Sequence, residues 1–168
     1  MPESFAAWLH GTRLSLFFQS VTWLWAACET LHFMGLALLI GIAGFFDLRL
    51  LGFMRRVPLS AARDLIPWAI RGFVLNLVTG LVFFTTAPAR YVNNGAFWFK
   101  MFFVLVAGLN AMFFETRLGA RVLTMGADQD TPMPFKIVGA VSLFAWLAVL
   151  YFGRMLPYAD QLGLSGGY

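Results

Sequence analysis

Charge is what this chain has least of. Lys, Arg, Asp and Glu make up 12% of its 168 residues, where water-soluble domains hold about a quarter. Hydrophobic side chains reach 60% and aromatic ones 17%, so a water-soluble fold is not expected. Cysteine occurs once, at Cys28, which excludes an intrachain disulfide and a CxxC-type zinc site and leaves the redox compartment unreadable. No Met or His ladder lines a path for copper transport, and no Ser, His and Asp arrangement for nucleophilic catalysis stands out. The net charge of +4 is not gathered into one basic run. It falls between apolar stretches, which suits membrane orientation better than nucleic-acid binding. A basic leader ahead of the first apolar part is also missing, so the N-terminus is expected to be retained rather than cleaved as a secretory signal. Internal repeats, low-complexity linkers and a soluble domain are absent as well.

What the chain does have is four apolar stretches, residues 21–46, 65–86, 96–114 and 135–152. Each is close to the roughly 20 residues needed to cross about 30 Å of hydrocarbon. The expected fold is all-α: an integral membrane four-helix bundle forming a single transmembrane domain over residues 1–168. An N-terminal interfacial amphipathic helix, residues 3–19, is expected ahead of it, with Phe5, Trp8, Leu9 and Leu16 on one face and Glu3, His10 and Arg13 elsewhere. Residues 126–134 read as a polar turn. Seven basic residues fall in the first and third connections (Arg49, Arg55, Arg56, Arg63, Arg117, Arg121, Lys136), against three on the other side (Arg13, Arg90, Arg154). The positive-inside rule then favours both termini in the periplasm of a bacterial cytoplasmic (inner) membrane, with Trp8, Trp23, Trp25, Tyr91 and Trp98 at the outer interface.

Against this apolar background, Glu29 and His32 sit inside the first stretch at i, i+3 spacing, with Gly35 continuing the same helical face. Ionisable groups at such depth cost about 3 kcal/mol unless paired or turned to a protein-lined cavity, so the pair is expected to face the bundle interior. At about 1.5 Å per residue, Glu29 is about 12 Å deep, His32 about 16 Å and Lys100 about 6 Å, within bending distance of Glu29. Arg90 and Arg154, at outer helix ends, either face an anionic ligand group or snorkel into headgroups. A second polar layer holds Arg71 and Asn110; Arg71 is expected inside the bundle, neutralised by Asp47 or Glu115. The bland alternative is that Glu29 and His32 form a structural pair, that Asn76, Thr79 and Asn110 stitch helices, and that Gly72 and Gly80 permit close approach.

The segments Glu29-Thr30-Leu31-His32-Phe33-Met34-Gly35 and Asp47-Leu48-Arg49-Leu50-Leu51-Gly52 resemble an uncharacterised family of small bacterial four-helix membrane proteins. The resemblance continues through Pro88-Ala89-Arg90-Tyr91, Phe97-Trp98-Phe99-Lys100 and Gly153-Arg154. A first-span Leu-His followed by Gly, with Lys near the start of the third span, is also distantly similar to the copper-resistance D proteins and the bacterial haem-dependent protoporphyrinogen oxidases. That similarity implies His32 as an axial haem ligand and Lys100 as a functional partner. The chain departs from it in having no third-span histidine, Asn110 being the deep polar residue there.

Two ligand classes suit these residues. For haem b, His32 would be the metal ligand, with outward Arg or Lys residues on the propionates. The second axial position would then fall to water, Glu29, Met34, Met101 or His32 of another subunit. For a quinone, His32 would donate to a carbonyl while Glu29 handles a proton. The candidate cofactor-binding set is thus His32, Glu29, Lys100, Arg90 and Arg154. A competing class is a non-catalytic accessory subunit, in which 19 Phe residues provide apolar exterior for docking into a homo-oligomer or a larger membrane respiratory, photosynthetic or transport complex.

Overall fold

The computed structural model describes residues 2–122, 125–126, 128–159 and 161, and among these there are helices and no strand. In chain order they are α1 (Pro2–His10), α2 (Arg13–Ser20), α3 (Thr22–Leu50), α4 (Leu59–Arg63), α5 (Ile66–Thr86), α6 (Pro88–Val92), α7 (Gly95–Arg117), α8 (Gly119–Val122) and α9 (Met133–Met155), closed by a 3-10 turn at Leu156–Tyr158. Four of the helical segments are long and apolar enough to cross a membrane, as expected of an integral membrane bundle. They are Thr22–Leu50, Leu59–Thr86, Gly95–Arg117 and Met133–Tyr158.

Local chemistry sets where the helices begin and end. Pro67, Pro88 and Pro134 lie in the first turns of α5, α6 and α9, where a missing N–H costs nothing. Asn94 caps α7 by accepting from the Ala96 N–H at 3.0 Å. At the other end of α3, Gly52 takes φ +96°, with Phe53 N–H donating to Leu48 C=O at 3.0 Å and Gly52 N–H to Arg49 C=O at 3.1 Å. That paired closure is a Schellman motif, which needs a residue without Cβ at this position.

The expected single interfacial helix is two. Gly11 and Thr12 interrupt it: the Thr12 hydroxyl donates to Leu9 C=O at 2.8 Å and accepts from Ser15 N–H, ending one helix and capping the next. The side chain of Glu3, placed on that helix, lies outside the described residues, as does Ala127 in the expected 126–134 turn.

The long helices form a row in which α3 lies between α5 and α9, and α7 lies on α9. The α3/α5 and α3/α9 crossings are built on glycine. A Cβ at Gly72 would meet Gly35 O at 2.7 Å and Leu39 N at 2.9 Å, and one at Gly139 would meet Asp47 O at 2.9 Å. Small residues thus let backbones approach, as expected for Gly72. Asn110 stitches α7 to α9 by donating to Val138 C=O at 3.0 Å, while Asn76 donates to Gly72 C=O within its own helix. The bundle has an α4 end and an α6 end, named for the short helices there. A core of Phe46, Leu50, Leu59, Phe114, Val122 and Phe135 fills the α4 end.

Charged side chains brace that end. Arg49 is fully buried, with Nε donating to Val57 C=O at 2.6 Å and Nη1 to Thr131 Oγ1 at 3.3 Å, so one side chain holds both connections. Asp130 bridges Arg55 at 3.3 Å and Lys136 at 3.0 Å, and Arg63 pairs with Glu115 and Gly119 C=O. Lys136, first of all, holds the Asp130 carboxyl below the usual aspartate range. These contacts correct the expected neutralisation of Arg71. Glu115 belongs to Arg63, Asp47 is buried within α3, and Arg71 is exposed, stacked 4.3 Å over the exposed Trp68 ring. A planar guanidinium over an indole gains cation–π attraction without entering the bundle.

Candidate functional site

The α6 half of the bundle is built differently. His32 is half-buried on α3, and its Nδ1 lies 2.7 Å from Thr79 Oγ1 on α5. Thr79 is itself buried, and its hydroxyl lies 2.7 Å from Leu75 C=O and 3.3 Å from Asn76 C=O. The imidazole edge passes over Gly80, whose added Cβ would lie 3.9 Å from His32 Cε1, and the ring packs on Phe83 at 5.4 Å between centroids. Trp25 extends that wall, 4.9 Å from Phe83. Gly80 and Phe83 thus give the ring a fixed seat. Among the described residues, Nε2 has no hydrogen-bond partner.

Lys100 faces the same interior from α7. It falls on the face that carries buried Ala96, Ala107 and Phe114. Helices α3 and α7 run parallel: the Phe46 and Phe114 rings meet at 5.4 Å, and His32 and Lys100 each lie fourteen residues before them. Over about 21 Å of helix that common register sets the two polar residues at one level. Lys100 is within electrostatic reach of His32, and its Nζ would lie 3.8 Å from a Cβ at Gly153 on α9. No hydrogen bond or ion pair joins Lys100 to Glu29 or to any other described residue.

The remaining expected site residues stand at the rim. Glu29 is exposed, so the face expected to point inward is turned: Cys28 and Gly35 are buried, His32 is half-buried and Glu29 lies at the margin. Glu29 lies within electrostatic reach of Tyr91, whose ring touches Phe84 and Phe97 at 6.2 and 5.6 Å. Burial pushes the Tyr91 phenol up, an effect that Arg90 opposes and Glu29 reinforces. Arg90 and Arg154 are both exposed, and Arg154 sits 5.7 Å over the Tyr158 ring. The structure therefore brings His32 and Lys100 together inside the bundle and leaves Glu29, Arg90 and Arg154 around its mouth.

The donor set fits haem only in part. Nε2 of His32 is a good iron ligand, and the rim cations suit carboxylates. Met34, 60% exposed, lies two residues from His32 and so on the opposite side of α3, while Met101 is exposed beside Lys100. Neither can reach an iron on His32 in this arrangement. Among the described residues no three His, Cys, Asp or Glu converge. Thr79, Gly80 and Phe83 were legible only as a deep polar residue, a small residue and an aromatic. Their common attachment to His32 is a contact between helices that spacing within one helix does not encode.

No curated protein and no solved structure matches the chain. The comparisons give no evidence of similarity to copper-resistance D proteins or protoporphyrinogen oxidases. The expected likeness to an uncharacterised family does hold, since one family model spans residues 5–159, from within α1 to beyond the last long helix. The chain belongs to the family of unknown function DUF6644.

Proposed function

We propose that this protein is an electron-transfer component of the bacterial cytoplasmic membrane that binds a redox cofactor, haem b or a quinone, at His32. One observation carries the reading: His32 is pinned through Nδ1 to Thr79 at 2.7 Å, while Nε2 has no partner among the described residues and Lys100 stands at its level. Nε2 is not sealed in the core, so a ligand can reach the nitrogen that Thr79 leaves uncommitted. The cofactor would supply the electron chemistry. His32 would ligate or hydrogen-bond it, Lys100 and the rim residues Arg90 and Arg154 would pair with its anionic or polar groups, and Glu29 would exchange protons at the mouth. The α6 end is read as periplasmic, with both termini there, because the α4 end gathers most of the basic residues.

The test is an absorption spectrum with pigment extraction from gently solubilised protein. Haem gives a Soret band that His32→Ala abolishes and His10→Ala leaves intact; a quinone appears in the organic extract of the parent and not of His32→Ala. Neither pigment in the parent would overturn the reading. For orientation, single cysteines near Arg56 and Gly126 in a Cys28→Ser background should label only from the cytoplasm and one near Asn94 only from outside; the reverse would invert the topology.

A second reading, an accessory subunit of a larger membrane assembly, is favoured by a groove of about 910 Å³ on α7 and α9, walled by Trp98, Phe102, Phe103, Phe144 and Tyr151. Subunits copurifying with a pigment-free parent would support it.

A further inference from the structure

We propose that Thr79 is a positioning residue that fixes the tautomer of His32, keeping Nε2 bare, so that the site takes an iron or a hydrogen-donating hydroxyl and disfavours a quinone carbonyl. This deepens the cofactor reading and rests on it. The Thr79 hydroxyl has one proton and three oxygen or nitrogen atoms near it: Leu75 O at 2.7 Å, Asn76 O at 3.3 Å and His32 Nδ1 at 2.7 Å. Were the proton given to Nδ1, Thr79 Oγ1 and Leu75 O would face each other as two acceptors at 2.7 Å with no hydrogen between them. Given instead to Leu75 O, it leaves a lone pair on Oγ1 that accepts from Nδ1–H. The backbone of α5 cannot donate from a carbonyl, so the chain of donors runs one way: His32 Nδ1–H to Thr79 Oγ1, and Thr79 Oγ1–H to Leu75 O.

A neutral imidazole with its proton on Nδ1 has a lone pair on Nε2. A doubly protonated ring would need an acceptor for Nε2–H, and none of the described residues provides one. Such a hydrogen bond to the other ring nitrogen is how histidine ligands are oriented at metal sites. A bare Nε2 also accepts from a quinol hydroxyl. It has nothing to donate to a quinone carbonyl.

The test uses the full chain in nanodiscs with 15N-labelled histidine. Long-range 15N–1H correlation distinguishes the two neutral tautomers, and His10→Gln assigns the signals because the chain has 2 histidines. The expected pattern for His32 is a protonated Nδ1 and an unprotonated Nε2. Thr79→Val should give a mixture with Nε2–H, and Thr79→Ser should restore the parent pattern. A protonated Nε2 in the parent, or an unchanged pattern in folded Thr79→Val, would overturn the inference. With added probes, decylubiquinol should bind roughly tenfold more tightly than decylubiquinone, and hemin should give a Soret band that His32→Ala removes. Tighter binding of the quinone would also overturn it. A fixed Nδ1–H ring in a protein that takes none of these probes would uphold Thr79's role and remove the cofactor reading.

Discussion

The two ends of this bundle spend their polar residues in opposite ways. At the α4 end they bind one another: Arg49 holds Val57 and Thr131, Asp130 holds Arg55 and Lys136, and Arg63 holds Glu115. The buried atoms without partners, Asp47 Oδ2 and Arg49 Nη2, also lie there, and Arg49 is held through its other two nitrogens. At the α6 end, Lys100 has no bonded partner and His32 keeps one nitrogen uncommitted, within walls of Trp25, Phe83 and Gly80. Polar groups that satisfy each other make structure; polar groups held in place and left unsatisfied are available to a ligand.

The largest stability effect should come from the α4 end. Arg49→Ala removes two hydrogen bonds from a charged donor and, among the described residues, the largest fully buried side chain, and should cost about 3 kcal/mol. Denaturant titration in mixed micelles would measure it, and a cost near zero would break the comparison. Next, Gly72→Val should cost about 2 kcal/mol, because the new side chain meets the backbone of α3, whereas Gly108→Ala should be close to neutral, since nothing lies within 4 Å of its Cβ. Equal effects would mean that the α3/α5 crossing is not tight. Asn110→Leu should cost about 0.6 kcal/mol through the lost bond to Val138. His32→Ala should cost no more than about 1 kcal/mol, since it removes one hydrogen bond to Thr79.

The smallest effect is pH-dependent. Asp130 titrates below its ordinary value because Lys136 hydrogen-bonds its carboxylate, so its contribution is present above about pH 4 and lost as pH falls through the lowered folded-state value. The melting-temperature gap between the parent and Asp130→Asn should therefore close on acidification. Because the group is exposed, it should also shrink in high salt. A gap that widens in acid would contradict the bridge.

Spans were legible because crossing hydrocarbon needs a length of apolar sequence, and that length is written in one dimension. Their ends were not. Helix α3 continues four residues past the expected 46, through Asp47 and Arg49, because both charges are buried there and Arg49 bonds the two connections. In sequence, Arg49 looks the same as a loop cation. Arg71 failed for a related reason: a helix apolar on nearly all sides does not announce which side faces its neighbours, so an arginine can be placed by depth but not by direction. Glu29 and His32 share a helical face only approximately. The Gly35–Gly72 crossing sets the rotation of α3, turning His32 to Thr79 and leaving Glu29 at the rim. The candidate site was thus visible as a set of costly residues, and its pairing appeared only when four helices were brought together.

The most direct measurement is the ratio of bound chromophore to folded protein in three samples: the parent, His32→Ala and Arg49→Ala, each isolated in mild detergent with its melting temperature recorded. His32→Ala should melt close to the parent and carry no haem or quinone, while Arg49→Ala should melt much lower yet keep the parent's ratio in its folded fraction. Pigment retained in His32→Ala, or a parent with none, would contradict it.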